Sequence, residues 1–185
     1  MLRVSALKES MKFSLNLASE ILSRTPATIR ALLAGLSEPW IINNEGDKTW
    51  SPFDIVGHLI HGERTDWMPR LKIILEYGEA RPFEPFDRFA QFEASKGKSL
   101  SELLDIFETL RRQNLETLQQ HHLTADHLEL KGTHPDFGTV TLSQLLATWV
   151  VHDLNHVSQI VRVMSKQYKE EVGPWIDYLS ILTSR

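Results

Sequence analysis

The chain has 185 residues, of which 42% are hydrophobic, and it carries a formal net charge of −4 with eight histidines and no cysteine. This length suits one domain, residues 1–185, with its own core. The negative net charge provides no attraction for nucleic acid or acidic membranes. The absence of cysteine excludes disulfides, cysteine nucleophiles and cysteine-ligated metals. Because no segment resembles a membrane span or a secretory signal, we expect a soluble cytoplasmic protein.

The first predicted helical region extends from about Ser14 to Leu36. Its apolar pattern is interrupted at Thr25-Pro26. Thr25 can cap a helix there and Pro26 can occupy the first helical turn. The pattern therefore predicts either one kinked helix or two short ones.

The second predicted helix begins after Ser51, a residue type that caps helix N-termini. Pro52 suits the first turn, and the carboxylate of Asp54 is stabilised by the positive end of the helix dipole. The helix is predicted to run to about Tyr77 and to end at Gly78. Pro69 is the place where we expect a kink.

The stretch from Glu79 to Lys98 is rich in proline, phenylalanine and charge, without sustained periodicity. It is predicted to be a long crossover loop, and loops of that length are often functional. Its part from Arg81 to Phe92 contains four phenylalanines and two arginines. Two interpretations are open: this segment lines a pocket for a small anionic or apolar substrate, or its phenylalanines cover the end of the helices, which the sequence favours.

The capping box Ser99-Leu-Ser-Glu102 predicts a third helix that runs to about Gln120. The following residues, from about 123 to 140, are irregular. Leu128–Gly132 and Phe137–Val140 are predicted to form a short hairpin there.

A second capping box, Thr141-Leu-Ser-Gln144, predicts a fourth helix that ends near Tyr168. Residues 174–182 are predicted to form a short closing helix. Four long helices, with one long connection between the second and third, predict an all-α four-helix bundle with a crossover.

The fourth helix carries two histidines, His152 and His156, four residues apart and hence on one face. Gln159 shares this face, and so do the core-type residues Leu145 and Val163. Two imidazoles at this spacing can converge on one divalent ion, although packed histidines would show the same pattern. A metal site needs a third protein ligand.

The second helix offers His58 and His61 as third ligands, and periodicity does not decide between them. On a helical wheel, His58 lies opposite the main apolar cluster, a position also compatible with exposure to solvent. Glu63 is interpreted as an exposed helix glutamate, with contact to a metal-bound water as the alternative. Asp153 is interpreted as a surface or inter-helix contact.

A set of motifs resembles the DinB/YfiT-like superfamily from about Leu17 to Met164, a family distinct from the DNA polymerase of similar name. The matching residues are Trp50-Ser-Pro, Gly57-His58-Leu-Ile-His-Gly-Glu63, Thr139-Val-Thr-Leu-Ser-Gln-Leu-Leu-Ala147 and His152-Asp-Leu-Asn-His156-Val-Ser-Gln159-Ile. The resemblance implies a four-helix bundle that binds one divalent metal ion through three histidines. Carried over by position, the ligands are His58, His152 and His156, with His61 as the competitor for the first place. Gln159 and Glu63 are candidates for contacts to a ligand ring or to bound water.

The same resemblance implies a metal-dependent enzyme that acts on a small molecule, either a hydrolase or a low-molecular-weight-thiol transferase. Zinc or nickel is the expected ion, and a homodimer the expected assembly. The alternative is a non-enzymatic metal-binding or stress-related structural bundle. An open coordination position favours the enzyme, whereas a fourth protein ligand favours the structural role.

Overall fold

The computed structural model of the protein describes residues 11–183. Its helices are α1 (Leu15–Leu22), α2 (Thr25–Leu33), α3 (Glu38–Ile42), α4 (Pro52–Thr65), α5 (Trp67–Tyr77), α6 (Ala90–Ser95), α7 (Leu100–Gln120), α8 (Ala125–Leu128), α9 (Leu142–Lys166) and α10 (Ser180–Thr183). Strands β1 (Lys131–His134) and β2 (Gly138–Thr141) form a hairpin, and Gly78–Ala80 and Gly173–Tyr178 form 3-10 helices.

Four helical segments form a bundle: the pair α1 and α2, the pair α4 and α5, and the long helices α7 and α9. Helices α7 and α9 each pack against both α2 and α4, so the two interrupted segments alternate with the two continuous ones around the bundle. The prediction of an all-α four-helix bundle with a long crossover between its second and third members is confirmed.

The first bundle segment consists of two short helices, which confirms one of the two predicted alternatives. Thr25 is the first residue of α2 rather than its cap, and Pro26 lies in the first turn. The second segment breaks at Asp66, so the prediction of a kink at Pro69 is wrong. Pro69 is the third residue of α5, and the first four N–H groups of a helix have no partner within it. Its missing N–H therefore disrupts no helical hydrogen bond.

Both predicted capping boxes are present. The Ser99 side chain accepts a hydrogen bond from the backbone N–H of Glu102, and Thr141 does the same for Gln144 at the start of α9. Helix α9 ends at Lys166, two residues before the predicted end. None of the helices within residues 11–183 is both long enough and apolar enough to cross a membrane.

The hairpin is confirmed, although its first strand begins at Lys131 because Leu128 ends helix α8, and Gly132 pairs with Val140 across it. The crossover, predicted as a loop, contains the 3-10 helix Gly78–Ala80 and the short helix α6. A single turn or two of helix leaves too few apolar repeats for a periodicity to be visible in the sequence.

The apolar core is divided into two clusters by a polar layer. One cluster surrounds Trp149 and Leu71, and the other surrounds Phe107 and Ile160. Along α9, the residues between the two clusters include His152, Asp153 and His156. The corresponding positions on α4 and α7 are occupied by Glu63 and Arg111, and all of these except the half-buried His152 are buried.

Arg111 joins all four bundle segments in this layer. Its guanidinium donates to both carboxylate oxygens of Asp153 on α9, at 2.5 and 2.9 Å, and to Glu63 on α4 at 2.8 Å. It also donates to the backbone carbonyl of Leu22, the last residue of α1, at 2.8 Å. Burial alone would lower the pKa of Arg111, but the two carboxylates raise it above its usual value, so the group stays charged.

We expect Arg111→Met to lower the free energy of unfolding by about 3–5 kcal/mol, because it leaves two carboxylates buried without their cation. The measurement is urea unfolding followed by circular dichroism at pH 7. Arg112→Met is the matched control, since Arg112 is exposed on the same helix, and it should change stability by less than about 0.5 kcal/mol. A loss below about 1 kcal/mol for Arg111→Met would contradict the assigned role.

Candidate metal centre

Three histidines from two helices converge in the polar layer. His58 is on α4, and His152 and His156 are one turn apart on α9. Nε2 of His152 lies 3.0 Å from Nε2 of His58 and 3.1 Å from Nε2 of His156. The candidate ligand atoms of all three lie within 4.8 Å of one another.

Hydrogen bonding between the rings does not account for this arrangement. A neutral imidazole nitrogen carries either one proton or one lone pair, so Nε2 of His152 can serve only one of its two close neighbours. Three nitrogens held tetrahedrally around zinc lie roughly 3.3 Å apart, since each is about 2.0–2.1 Å from the metal. The spacing and chemistry of the donor set therefore fit a divalent ion at the centre of the three rings.

Gln159 fixes the orientation of one of these rings. Its Oε1 lies 2.8 Å from Nδ1 of His156. An amide oxygen only accepts hydrogen bonds, so the contact requires the His156 proton on Nδ1 and leaves the lone pair on Nε2. This is the polar partner that metal-binding histidines ordinarily have on their other nitrogen.

The other two rings are held by aromatic packing. The ring centroid of His58 lies 4.8 Å from Trp50 and 5.4 Å from Phe86, and that of His152 lies 5.1 Å from Trp67. Nδ1 of His58 and Nδ1 of His152 are buried and have no hydrogen-bond partner among the described residues. Packing therefore sets the direction of the His152 ring, whereas His58 also has the buried amide of Gln91 close enough to raise its pKa, against the larger effect of burial.

The environment keeps the three imidazoles neutral. Burial lowers the pKa of His58 to about 4 and that of His152 to about 2, and the positive charge that neighbouring histidines would carry acts in the same direction. Burial also lowers the pKa of His156, against the opposing effect of Gln159. Neutral imidazole is the form that ligates metal ions.

His61 lies outside the cluster. It is half-buried, and its ring packs against Phe86 at 4.8 Å between centroids. The structure thus brings His58, and not His61, to the two histidines of α9. The helical wheel left exposure of His58 open because α4 is covered on several sides, including by α6.

Glu63 and Asp153 belong to the buried network around Arg111. The interpretation of Glu63 as an exposed glutamate is wrong: it is 2% exposed and accepts hydrogen bonds from Arg111, Asn114 and Trp149. Asp153 makes the inter-helix contact that was one of its two interpretations, and it is fully buried. Neither carboxylate is part of the three-histidine cluster.

Sequence reasoning missed Arg111 altogether. A signal was available, because Arg111 follows Leu104 and Phe107 at spacings of seven and four residues and precedes Leu118 by seven, so it lies on the buried stripe of α7. A charged residue in an apolar stripe indicates a buried ion pair. The sequence does not show which carboxylates, on other helices, complete it.

A cavity of about 450 Å³ opens beside the three histidines. The crossover segment supplies Phe83, Phe86 and Arg88 to its wall, and the hairpin supplies His134 and Phe137. The crossover segment contributes both to a cavity wall and to the core, and the binding of a substrate there stays a prediction. Phe86 lines this cavity, whereas Phe83 also belongs to the core.

Gly57 allows the crossover segment to approach α4 this closely. A Cβ atom at position 57 would lie 2.6 Å from Oγ of Ser95 at the end of α6, closer than real contacts allow. Helix α6 therefore packs directly on the turn of α4 that presents His58. Glycine at this position has a packing reason and needs no unusual backbone conformation.

Comparison with known proteins gives one family and one fold. The family model of the DinB superfamily matches residues 21–160. Among solved structures, the chain is similar to YfiT from Bacillus subtilis, described as a probable metal-dependent hydrolase with an unusual four-helix bundle topology. The TM-score is 0.72 at 22% identity, over 86% of this chain and 92% of that one. No curated protein sequence matches the chain.

We expect Gln159→Leu to weaken zinc binding about 10–100-fold, because His156 loses the acceptor that holds its proton on Nδ1. Competition with a chromophoric chelator measures the dissociation constant. Gln159→Glu keeps an acceptor oxygen and is the matched control, with affinity expected to stay close to that of the parent protein. Equal affinity of the Leu variant and the parent would show that the hydrogen bond does not support the site.

The pH dependence of stability provides a further test on metal-free protein in the presence of chelator. The folded protein holds the three pKa values below 6.5, so the unfolded chain binds more protons once the pH falls below that value. The free energy of unfolding should therefore decrease from about pH 6.5 toward 4, by up to about 1.4 kcal/mol per pH unit for each histidine, and the three should contribute no slope above pH 7.

Urea unfolding at several pH values measures this slope. His58→Phe should make it shallower, whereas His122→Asn, which removes an exposed histidine, should leave it unchanged. If the parent protein and His58→Phe share one slope, the burial of a neutral His58 is refuted.

Proposed function

The chain belongs to the DinB superfamily, and from that membership we propose that it is a metal-dependent enzyme acting on a small molecule. His58, His152 and His156 would hold one divalent ion, zinc or nickel. The observation that carries the proposal is the convergence of three neutral Nε2 atoms at a spacing that suits a metal ion and not a set of hydrogen bonds.

The number of ligands supports an enzyme rather than a structural metal site. Among the described residues, no carboxylate or further histidine joins the three-histidine cluster. The carboxylates nearest along the helices, Glu63 and Asp153, are paired with Arg111. Zinc sites with three protein ligands keep an exchangeable position, which is the arrangement of catalytic rather than structural zinc.

Hydrolysis of an ester or amide is the reaction that we propose, with thiol transfer as the alternative. An ion held in this way lowers the pKa of a bound water toward ~7 and can equally bind a thiolate. The similarity in fold to YfiT, described as a probable metal-dependent hydrolase, favours hydrolysis. The cavity beside the histidines provides the space for a substrate.

The protein's own residues contribute position and shielding. Trp50, Trp67 and Phe86 pack around the histidine rings and limit the access of water from those sides. Gln159 keeps the lone pair of His156 directed into the cluster. Rigid helices hold the three rings, so binding an ion requires little rearrangement.

Elemental analysis of purified protein tests metal binding. We expect about one divalent ion per chain, lost in the double variant His152→Ala/His156→Ala. His61→Ala is the matched control and should keep its metal, because His61 packs on Phe86 outside the cluster. Full metal occupancy in the double variant would refute the site.

The cobalt-substituted protein distinguishes an enzyme from a structural site. We expect its visible spectrum to change with azide, with small thiols and with pH, since an exchangeable position admits such ligands, and His58→Ala should abolish the response. A spectrum that stays unchanged with azide, with thiols and with pH would establish a closed site and the structural alternative. A screen of esters, amides and thiol acceptors then separates hydrolysis from thiol transfer.

A further inference from the structure

Arg88 is an unpaired cation in the wall of the cavity beside the histidines. It lies in the crossover segment between Phe86 and α6, it is exposed, and it lines the cavity. Within residues 11–183 its guanidinium makes no ion pair and no hydrogen bond. A guanidinium presents several donors in a fixed plane that matches the two oxygens of a carboxylate.

The other charged groups of the cavity wall neutralise each other. Arg70 is paired with Asp66, with Nε 2.5 Å from the carboxylate, and both side chains are largely buried. Arg70 also lies over the ring of Phe83, 5.2 Å from its centroid. With neutral histidines, Arg88 is therefore the one uncompensated charge among the residues that line the cavity.

The remaining wall is rich in aromatic rings. Trp67 and Phe86 pack on the histidine rings, and Phe137 of the hairpin also lines the cavity. Phe137 is 78% exposed although it stacks on His134, at 4.4 Å between centroids. An exposed aromatic ring at a cavity provides apolar surface that a ligand can cover.

We propose that the substrate is a small monocarboxylate with an apolar, preferably aromatic, body, and that Arg88 binds its carboxylate while the aromatic wall holds its body beside the three histidines. In the metal-free protein one unpaired guanidinium balances one negative charge, and its planar donors match the two oxygens of a carboxylate. The volume of about 450 Å³ lies in the range of small-molecule pockets. This assignment of substrate class rests on the proposed function, but Arg88 and the aromatic wall can be tested without metal.

The first experiment uses metal-free protein and follows tryptophan fluorescence, because Trp50 and Trp67 line the cavity. The probes are 3-phenylpropanoate and its uncharged amide, which have the same shape. We expect the carboxylate to bind at least threefold more tightly than the amide. Arg88→Gln should abolish this preference, and Arg81→Gln should preserve it, since Arg81 lies in the same segment over Tyr77 and does not line the cavity.

A preference below threefold, a preference that persists in Arg88→Gln, or no binding of either probe would overturn the assignment. Propanoate tests the apolar part, because without the ring it should bind at least tenfold more weakly than 3-phenylpropanoate. Equal binding of the two acids would refute the role of the aromatic wall. Phe137→Ser changes an exposed position and should not unfold the protein. It is expected to weaken the binding of 3-phenylpropanoate and to leave the binding of propanoate unchanged.

The second experiment uses zinc-loaded protein and benzohydroxamates, in which the hydroxamate is a metal-binding group. The para-carboxylate should bind more tightly than the para-carboxamide in the parent protein, and equally in Arg88→Gln. Loss of all hydroxamate binding with the metal-free preference intact would refute the metal function and leave the Arg88 subsite standing. Hydroxamate binding without any carboxylate preference in either experiment would refute the Arg88 subsite and leave the metal function standing.

Discussion

One buried guanidinium holds the bundle together in the layer where the fold places its polar residues. Arg111 contacts α1, α4 and α9 from its position on α7, and its guanidinium lies 5.1 Å from the ring centroids of both Phe107 and Trp149. Burying three charges is unfavourable unless each is paired and hydrogen-bonded, and here both carboxylates are. Loss of any one of the three charges would leave a partner charge buried without compensation, so the network ties the helices that carry them to one arrangement.

The geometry of the histidine cluster depends on this network. Glu63 follows His58 by five residues on α4, and Asp153 directly follows His152 on α9. By binding both carboxylates, Arg111 fixes the relative position of the two helices that carry the histidines. Nε2 of His152 can therefore approach Nε2 of His58 to 3.0 Å and that of His156 to 3.1 Å, even though Nδ1 of His58 and Nδ1 of His152 have no hydrogen-bond partner. The ion pairs position the two helices, and aromatic packing then orients the histidine rings on them.

The crossover segment turns a histidine cluster inside a bundle into a site that a ligand can reach. Gly57 lets α6 lie against α4, and the segment before α6 then passes over His58 and places Phe86 and Arg88 at the cavity. The hairpin also contributes Phe137 to the cavity wall. Neither segment belongs to the bundle proper. The bundle provides rigid imidazoles, and the two connections provide the surface that distinguishes one ligand from another.

The sequence by itself determined the four long helical segments of the bundle, because capping boxes and apolar periodicity are local signals, as at Ser99 and Thr141, but not the short helices α3 and α6 or the break at Asp66. It also identified His152 and His156 as a pair, since one helix fixes their spacing. His58 needed family resemblance, because the helical wheel of α4 alone left it compatible with solvent.

Only the tertiary structure decided the partners of Arg111, the burial of Glu63 and the position of Arg88. These depend on contacts between residues more than 40 positions apart, or on an aperiodic segment whose course is set by packing. Local patterns specify which face of a helix is buried. What that face meets is specified by the way in which the helices pack together.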